Sequence, residues 1–139
     1  MQDLHSNIHP TGVAVTANAD NTATVSGIID RQGYNSLEFL IATGTLADVN
    51  ATFTVLVQDG AAANLSDAAN VSDADLLGTE VLAGFAFGDD DEARKIGYKG
   101  SKRYVQCTVT PADNTSAAPI AIIPLLGHPG SAPTANPPE

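Results

Sequence analysis

The chain has 139 residues and sets 16 Asp and Glu against 6 Lys and Arg, a formal net charge of −10 at pH 7. That balance argues against a nucleic-acid partner, because neutralising phosphates takes a surplus of Lys and Arg over a broad face. A single cysteine, Cys107, excludes an internal disulfide and a cysteine-built zinc cluster, and no apolar run of about 18 residues is present to cross a membrane as a helix.

The length suits one domain with a real core. Aromatics are few (3 Tyr, 4 Phe, no Trp) while there are 22 alanines. Pockets and carbohydrate platforms lean on aromatic walls, so this scarcity counts against both. Small and β-branched residues suit a thin β-sandwich.

In chain order, residues 1–12 show no sustained period and read as an N-terminal arm. The opening MQDLHSNIHP lacks the basic and apolar regions of a secretory signal. Residues 13–17 and 22–30 read as short strands around the turn-like Asn18-Ala19-Asp20-Asn21. In SLEFLIATGTL, Leu37, Phe39 and Ile41 fall on one face and Glu38, Leu40 and Ala42 on the other. In ATFTVLVQDG, Phe53, Val55 and Val57 share a face. Two such runs joined by a short polar link predict a hairpin.

Residues 60–80 mix alanines with Ser-Asp pairs, which predicts a long loop with room for a short helix near 66–71. Strand signal returns in EVLAGFAF, in RKIGYKG and in RYVQCTVTP, where Val105, Cys107 and Val109 point inward. APIAIIPLL is the last strand, and Pro119 and Pro124, which cannot donate ladder bonds, predict an edge or bulged strand. Residues 127–139 form a Pro-rich tail. The expectation is an all-β, single-domain β-sandwich or jelly roll over residues 13–126, with extended N- and C-terminal arms.

No nucleotide, nucleophile-elbow or metalloprotease motif is present. His5, His9 and His128 fall in the arm and tail, and Cys107 sits mid-strand on an apolar face. No catalytic or cofactor-binding residue is therefore assigned, and the chain is expected not to be an enzyme. Asp89, Asp90, Asp91 and Glu92 are contiguous, and Asp67, Asp73 and Asp75 lack the spacing and turning glycine of a calcium loop. No metal site is expected.

Five of the six basic residues fall within ten positions: Arg94, Lys95, Lys99, Lys102 and Arg103. Read as a hairpin with 99–102 at its tip, they make a basic knob on an acidic body. Exposed ion pairs add only about 0–1 kcal/mol each, so electrostatic docking is the better reason for the cluster. Tyr98 and Tyr104 flank the tip as apolar anchors. The candidate interaction residues are these seven.

The segments IDRQGYNSLEFLIATGTL (29–46), DADLLGTE (73–80) and KIGYKGSKRYVQCTVTP (95–111) resemble those of small proteins encoded beside the major capsid gene of tailed bacteriophages, over roughly residues 25–130. The resemblance implies a capsid decoration or cement protein, made in the bacterial host cytoplasm and carried on the capsid exterior of the virion. It implies the major capsid protein as partner and a homotrimer as oligomer. A tail or head–tail connector component is the first alternative. A calcium- or carbohydrate-binding β-sandwich module is the second.

Overall fold

Period-two alternation buries one face of each strand, and that patterning sets most of this fold. The computed structural model describes residues 3–137. Among them the strands are β1 Ile8–Pro10, β2 Ala14–Asn18, β3 Thr24–Val25, β4 Ile29–Asp30, β5 Tyr34–Thr43, β6 Thr52–Gly60, β7 Ala69–Asn70, β8 Leu76–Leu77, β9 Phe85–Ala86, β10 Ala93–Tyr98, β11 Tyr104–Ala112 and β12 Ala118–Pro129. One α-helical turn, α1, spans Glu80–Ala83, and 3-10 turns span His5–Asn7 and Asp73–Asp75.

They form two antiparallel sheets packed as a β-sandwich. The front sheet runs β1-β12-β5-β10-β8, with β2 also on β12. The back sheet runs β3-β11-β6-β7, with β4 on β11 and β9 on β6. Take β3 with β4 as one broken strand, and β7 with β9 as another. The pairs are then first with last (β2·β12), second with seventh (β3, β4·β11), third with sixth (β5·β10) and fourth with fifth (β6·β7, β9). A long hairpin rolled on itself pairs in this order, which is a jelly roll.

The roll overturns two expected hairpins. β5 lies in the front sheet and β6 in the back, so the two strands face each other instead of pairing edge to edge. Residues 44–51 carry the chain over one end of the sandwich and bury Leu46 and Ala51 there. Likewise β10 is in the front sheet and β11 in the back, so 99–103 is a crossover and not a hairpin tip. Alternation reports that a strand has a buried face; it does not report which strand lies beside it.

The core lies between the sheets. Leu37, Phe39, Ile41, Ile96, Ile120 and Ile122 from the front meet Phe53, Val55, Val57, Val105, Cys107 and Val109 from the back, all at most 5% exposed. Each large side chain buried this way contributes roughly 1.5–3 kcal/mol.

The predicted edge strand is central, since β12 pairs with β5 on one side and with β1 and β2 on the other. Its prolines sit where the neighbouring strand has run out. The Pro124 carbonyl accepts from Thr11 N at 3.1 Å, so its ring nitrogen faces that same edge, between the end of β1 and the start of β2. The Pro119 carbonyl accepts from Gly44 N at 3.0 Å, one residue beyond the end of β5. No ladder bond is lost at either.

The arms are also docked. β12 outruns β2, and its free edge at Leu125, Leu126 and Gly127 is filled by β1 from the expected N-terminal arm, as an open edge invites. β12 itself extends to Pro129, past the expected boundary at 126. From the tail, Thr134 N donates to Ser6 O at 3.1 Å and its hydroxyl donates to Ile8 O. His9 stacks on Tyr34, with ring centroids 5.7 Å apart.

Residues 61–68 are turns rather than helix, drawn around Asp67, whose carboxylate accepts from Ala61 N (2.8 Å) and Ala62 N (3.1 Å). The helical turn lies instead at 80–83, where strand was expected. Thr79 caps it by accepting from Leu82 N at 3.1 Å. Glu80 Oε1 accepts from Val57 N at 2.8 Å, filling the gap along β6 between β7 and β9. A carboxylate replaces a missing strand partner.

Candidate functional site

β10 separates the basic residues. At about 3.3 Å per residue, Arg94 and Lys99 stand some 16 Å apart along the strand, so no single knob exists. Arg94 is tied to the acidic run before it, 2.9 Å from Asp89 and 3.0 Å from Glu92, and donates to Leu82 O at 3.3 Å. The run itself caps backbone: Asp89 accepts from Ala86 N and Asp90 from Leu46 N, both at 2.8 Å. Thr43 adds a bond from its hydroxyl to Asp89 O at 2.6 Å. These charges fasten a loop over the end of the sandwich.

The other end is built differently. Tyr98, expected as an exposed anchor, is only 2% exposed. Its inward place follows from the alternation through Ile96, because Tyr98 lies two residues on along the same strand. The hydroxyl donates to Asp59 Oδ2 at 2.6 Å and accepts from Lys102 N at 3.0 Å. Burial, and then the bond to the Asp59 carboxylate, push the phenol pKa up to about 12. Arg31 lies 4.7 Å over the same ring and donates to Gly100 O (3.1 Å) and Lys102 O (2.5 Å). Arg103 grips Asp30 with two bonds of 2.8 Å, which hold the Asp30 carboxyl below its ordinary range. The guanidinium also lies 5.1 Å over Tyr104, which is half-buried.

The crossover 99–103 is therefore latched to the core through Tyr98 and Arg31. It presents Lys99 and Lys102, both exposed, and among the described residues neither is in an ion pair. Arg31 was not among the predicted site residues. Its signal is slight: it is the one basic residue outside the 94–103 stretch, and only the rolled topology brings it to Tyr98.

Lys95 belongs to a third environment, the outer face of the front sheet. Val15, Leu40, Ile123, Leu125 and Leu77 point outward there, with Val15 74% and Leu77 53% exposed. Glu38 and Lys95 are the charged residues among the outward strand positions of this sheet. The outer face of the back sheet is more polar, carrying Thr52, Thr54, Gln58, Gln106, Thr108 and Thr110 alongside Leu56 and Val25. A groove of about 610 Å³ crosses one end of the front face, lined by Leu4, Ser36, Glu38, Leu77, Leu125 and His128. Gly97 lets Glu38 lie flat, since a Cβ there would stand 2.5 Å from Glu38 Oε2. Burial raises the Glu38 carboxyl pKa, and the charge of Lys95 offsets part of the rise.

The histidines do not converge. His128 Nδ1 is 2.8 Å from Ser36 Oγ, and His9 packs on Tyr34. Cys107 is fully buried, and desolvation pushes its thiol up to about 12. Among the described residues no group of three or more His, Cys, Asp or Glu side chains is placed to hold a metal ion. No helix among them is long and apolar enough to cross a membrane.

No family model matches the chain, and no curated protein sequence matches it. Among solved structures it is similar to the CBM22-1-GH10 modules of the Clostridium thermocellum endo-1,4-beta-D-xylanase 10B, complexed with xylohexaose. The identity is 12% and the TM-score 0.44, over 96% of this chain and 29% of that one. It is also similar to the family 11 carbohydrate-binding module of the Clostridium thermocellum cellulosomal cellulase Lic26A-Cel5E, at 10% identity and a TM-score of 0.36, over 87% and 88% of the two chains. The chain thus spans less than a third of the first structure. At these scores neither likeness bears on ligand or role.

Proposed function

We propose that this chain is a non-enzymatic structural protein of a tailed-phage virion, a decoration protein that binds the major capsid protein on the head exterior. The observation that carries the reading is the latched crossover. Two exposed lysines stand on a rigid element of a body with net charge −10, held by Tyr98, Asp59 and Arg31. Rigid presentation lowers the ordering cost of a protein contact, and a local cationic element steers an acidic body toward a negative partner. The resemblance of 29–46, 73–80 and 95–111 to capsid-neighbouring phage proteins supports the same reading.

The test is binding to undecorated capsids. Lys99→Glu with Lys102→Glu should leave the unfolding midpoint unchanged, since both side chains are exposed, yet weaken capsid binding by about tenfold or more. Wild-type binding should also slow as salt shortens the reach of these charges below about 8 Å. Equal decoration by the double variant would remove the crossover from the contact.

A second reading, a carbohydrate-binding module, is favoured by the groove with Ser36, Glu38 and His128 on its walls. It lacks an exposed aromatic platform. Titration with oligosaccharides, read by calorimetry, separates the two readings: heat of binding lost in Glu38→Ala would favour the sugar.

A further inference from the structure

The outer face of the front sheet is broad, apolar and close to neutral on a strongly acidic chain. Its strands range from two to twelve residues in five rows, and at about 3.3 Å per residue and about 4.8 Å between rows they cover on the order of 600 Å². That reaches the lower end of what each partner contributes to a stable protein–protein interface, about 600–1,000 Å². Elsewhere the net negative charge makes two copies repel. Here one carboxylate and one ammonium stand near the middle of the patch.

We propose that this face joins two copies of this chain about a two-fold axis lying between them, with Glu38 of each copy meeting Lys95 of the other. The register supports it. Lys95 pairs across with Leu40, and Glu38 with Gly97 and Leu125, so the two charges lie on adjacent strands two residues apart. An axis through their midpoint exchanges them, the self-complementarity a two-fold contact demands. Face-to-face sheets pack about 10 Å apart, within reach of a lysine and a glutamate extended toward each other. Within one copy the two do not form an ion pair, although the Lys95 charge is felt at Glu38. The half-buried carboxyl gains a direct partner only when the second copy arrives. A three-fold ring, which the phage resemblance implies, would use unlike patches and leave this exchange unmade. This inference is independent of the capsid reading, and its test contains no capsid.

The experiment is sedimentation equilibrium of the full chain at tens of micromolar, with circular dichroism on every variant to confirm the β fold. Wild type should sediment at twice 14.2 kDa. Glu38→Lys alone and Lys95→Glu alone should each weaken the pair on the order of a hundredfold, since each places two like-charge contacts in the interface. The double reversal should restore the dimer. An equimolar mixture of the two single variants should also dimerise, because both contacts then join Lys to Glu across the axis. A wild-type monomer or trimer overturns the proposal. So do single variants that dimerise as wild type, or a mixture that stays monomeric.

Discussion

Replacing Tyr98 by Phe removes one hydroxyl from a site that is 2% exposed and breaks two hydrogen bonds, to Asp59 at 2.6 Å and from Lys102 N at 3.0 Å. A hydrogen bond to a charged group contributes about 1.5–3 kcal/mol, and leaving a buried partner unsatisfied adds to the loss. The ring stays, so the packing under Arg31 is retained. We expect Tyr98→Phe to cost about 2–3 kcal/mol, a fall in Tm of roughly 6–10 °C for a chain of this size. Urea unfolding followed by far-UV circular dichroism measures it directly. The same residue sets an alkaline limit. Its folded pKa is raised from 10.0 to about 12, so above pH 10 the unfolded chain releases a proton that the folded chain retains. Stability from this group is therefore fully present below pH 10 and lost as pH rises toward 12. Tyr98→Phe should abolish that part of the alkaline loss. A cost below about 0.5 kcal/mol, or an unchanged alkaline profile, would refute the latch.

Cys107→Ser should cost roughly 1–3 kcal/mol by placing a hydroxyl in an apolar site, and native protein should resist thiol reagents. Its thiol, raised from 9.0 to about 12, adds a further loss of stability as pH rises above 9. Asn114→Ala should cost about 2–3 kcal/mol in urea unfolding, because the side chain is 3% exposed and donates to Asn18 O (3.1 Å) and Asp20 O (3.0 Å). Gly12→Ala should cost about 1–3 kcal/mol: its φ is +65° and the new Cβ would lie 2.5 Å from Ile29 Cδ1. Adding Ile29→Val, which deletes that methyl, should recover part of the loss.

Strands were legible wherever alternation was strict. Leu37, Phe39 and Ile41, then Phe53, Val55 and Val57, then Val105, Cys107 and Val109 are the inward faces of β5, β6 and β11. Neighbours were not legible, because period two is the same for a hairpin and for strands facing across a sandwich. Prolines 119 and 124 misled for a related reason: whether a missing N–H matters depends on where the adjacent strand stops. Arg94 reads in sequence as part of a docking cluster, but it pairs with Asp89 and Glu92, while Asp89 and Asp90 of the preceding acidic run cap Ala86 N and Leu46 N. Arg31 and Tyr98 meet only through contacts some seventy residues apart. The second face of β5, with Glu38 and Leu40 outward, was visible in the alternation, but its continuation through Ile123 and Leu125 required the sheet order.

The most direct measurement of the proposed role is an image reconstruction of the virions that carry this gene product, at a resolution where a jelly roll can be fitted. The account predicts the sandwich on the outer surface of the head, with Lys99 and Lys102 at the boundary with the major capsid protein. Density for the chain in the tail or connector, or heads that bear none of it, would contradict the account.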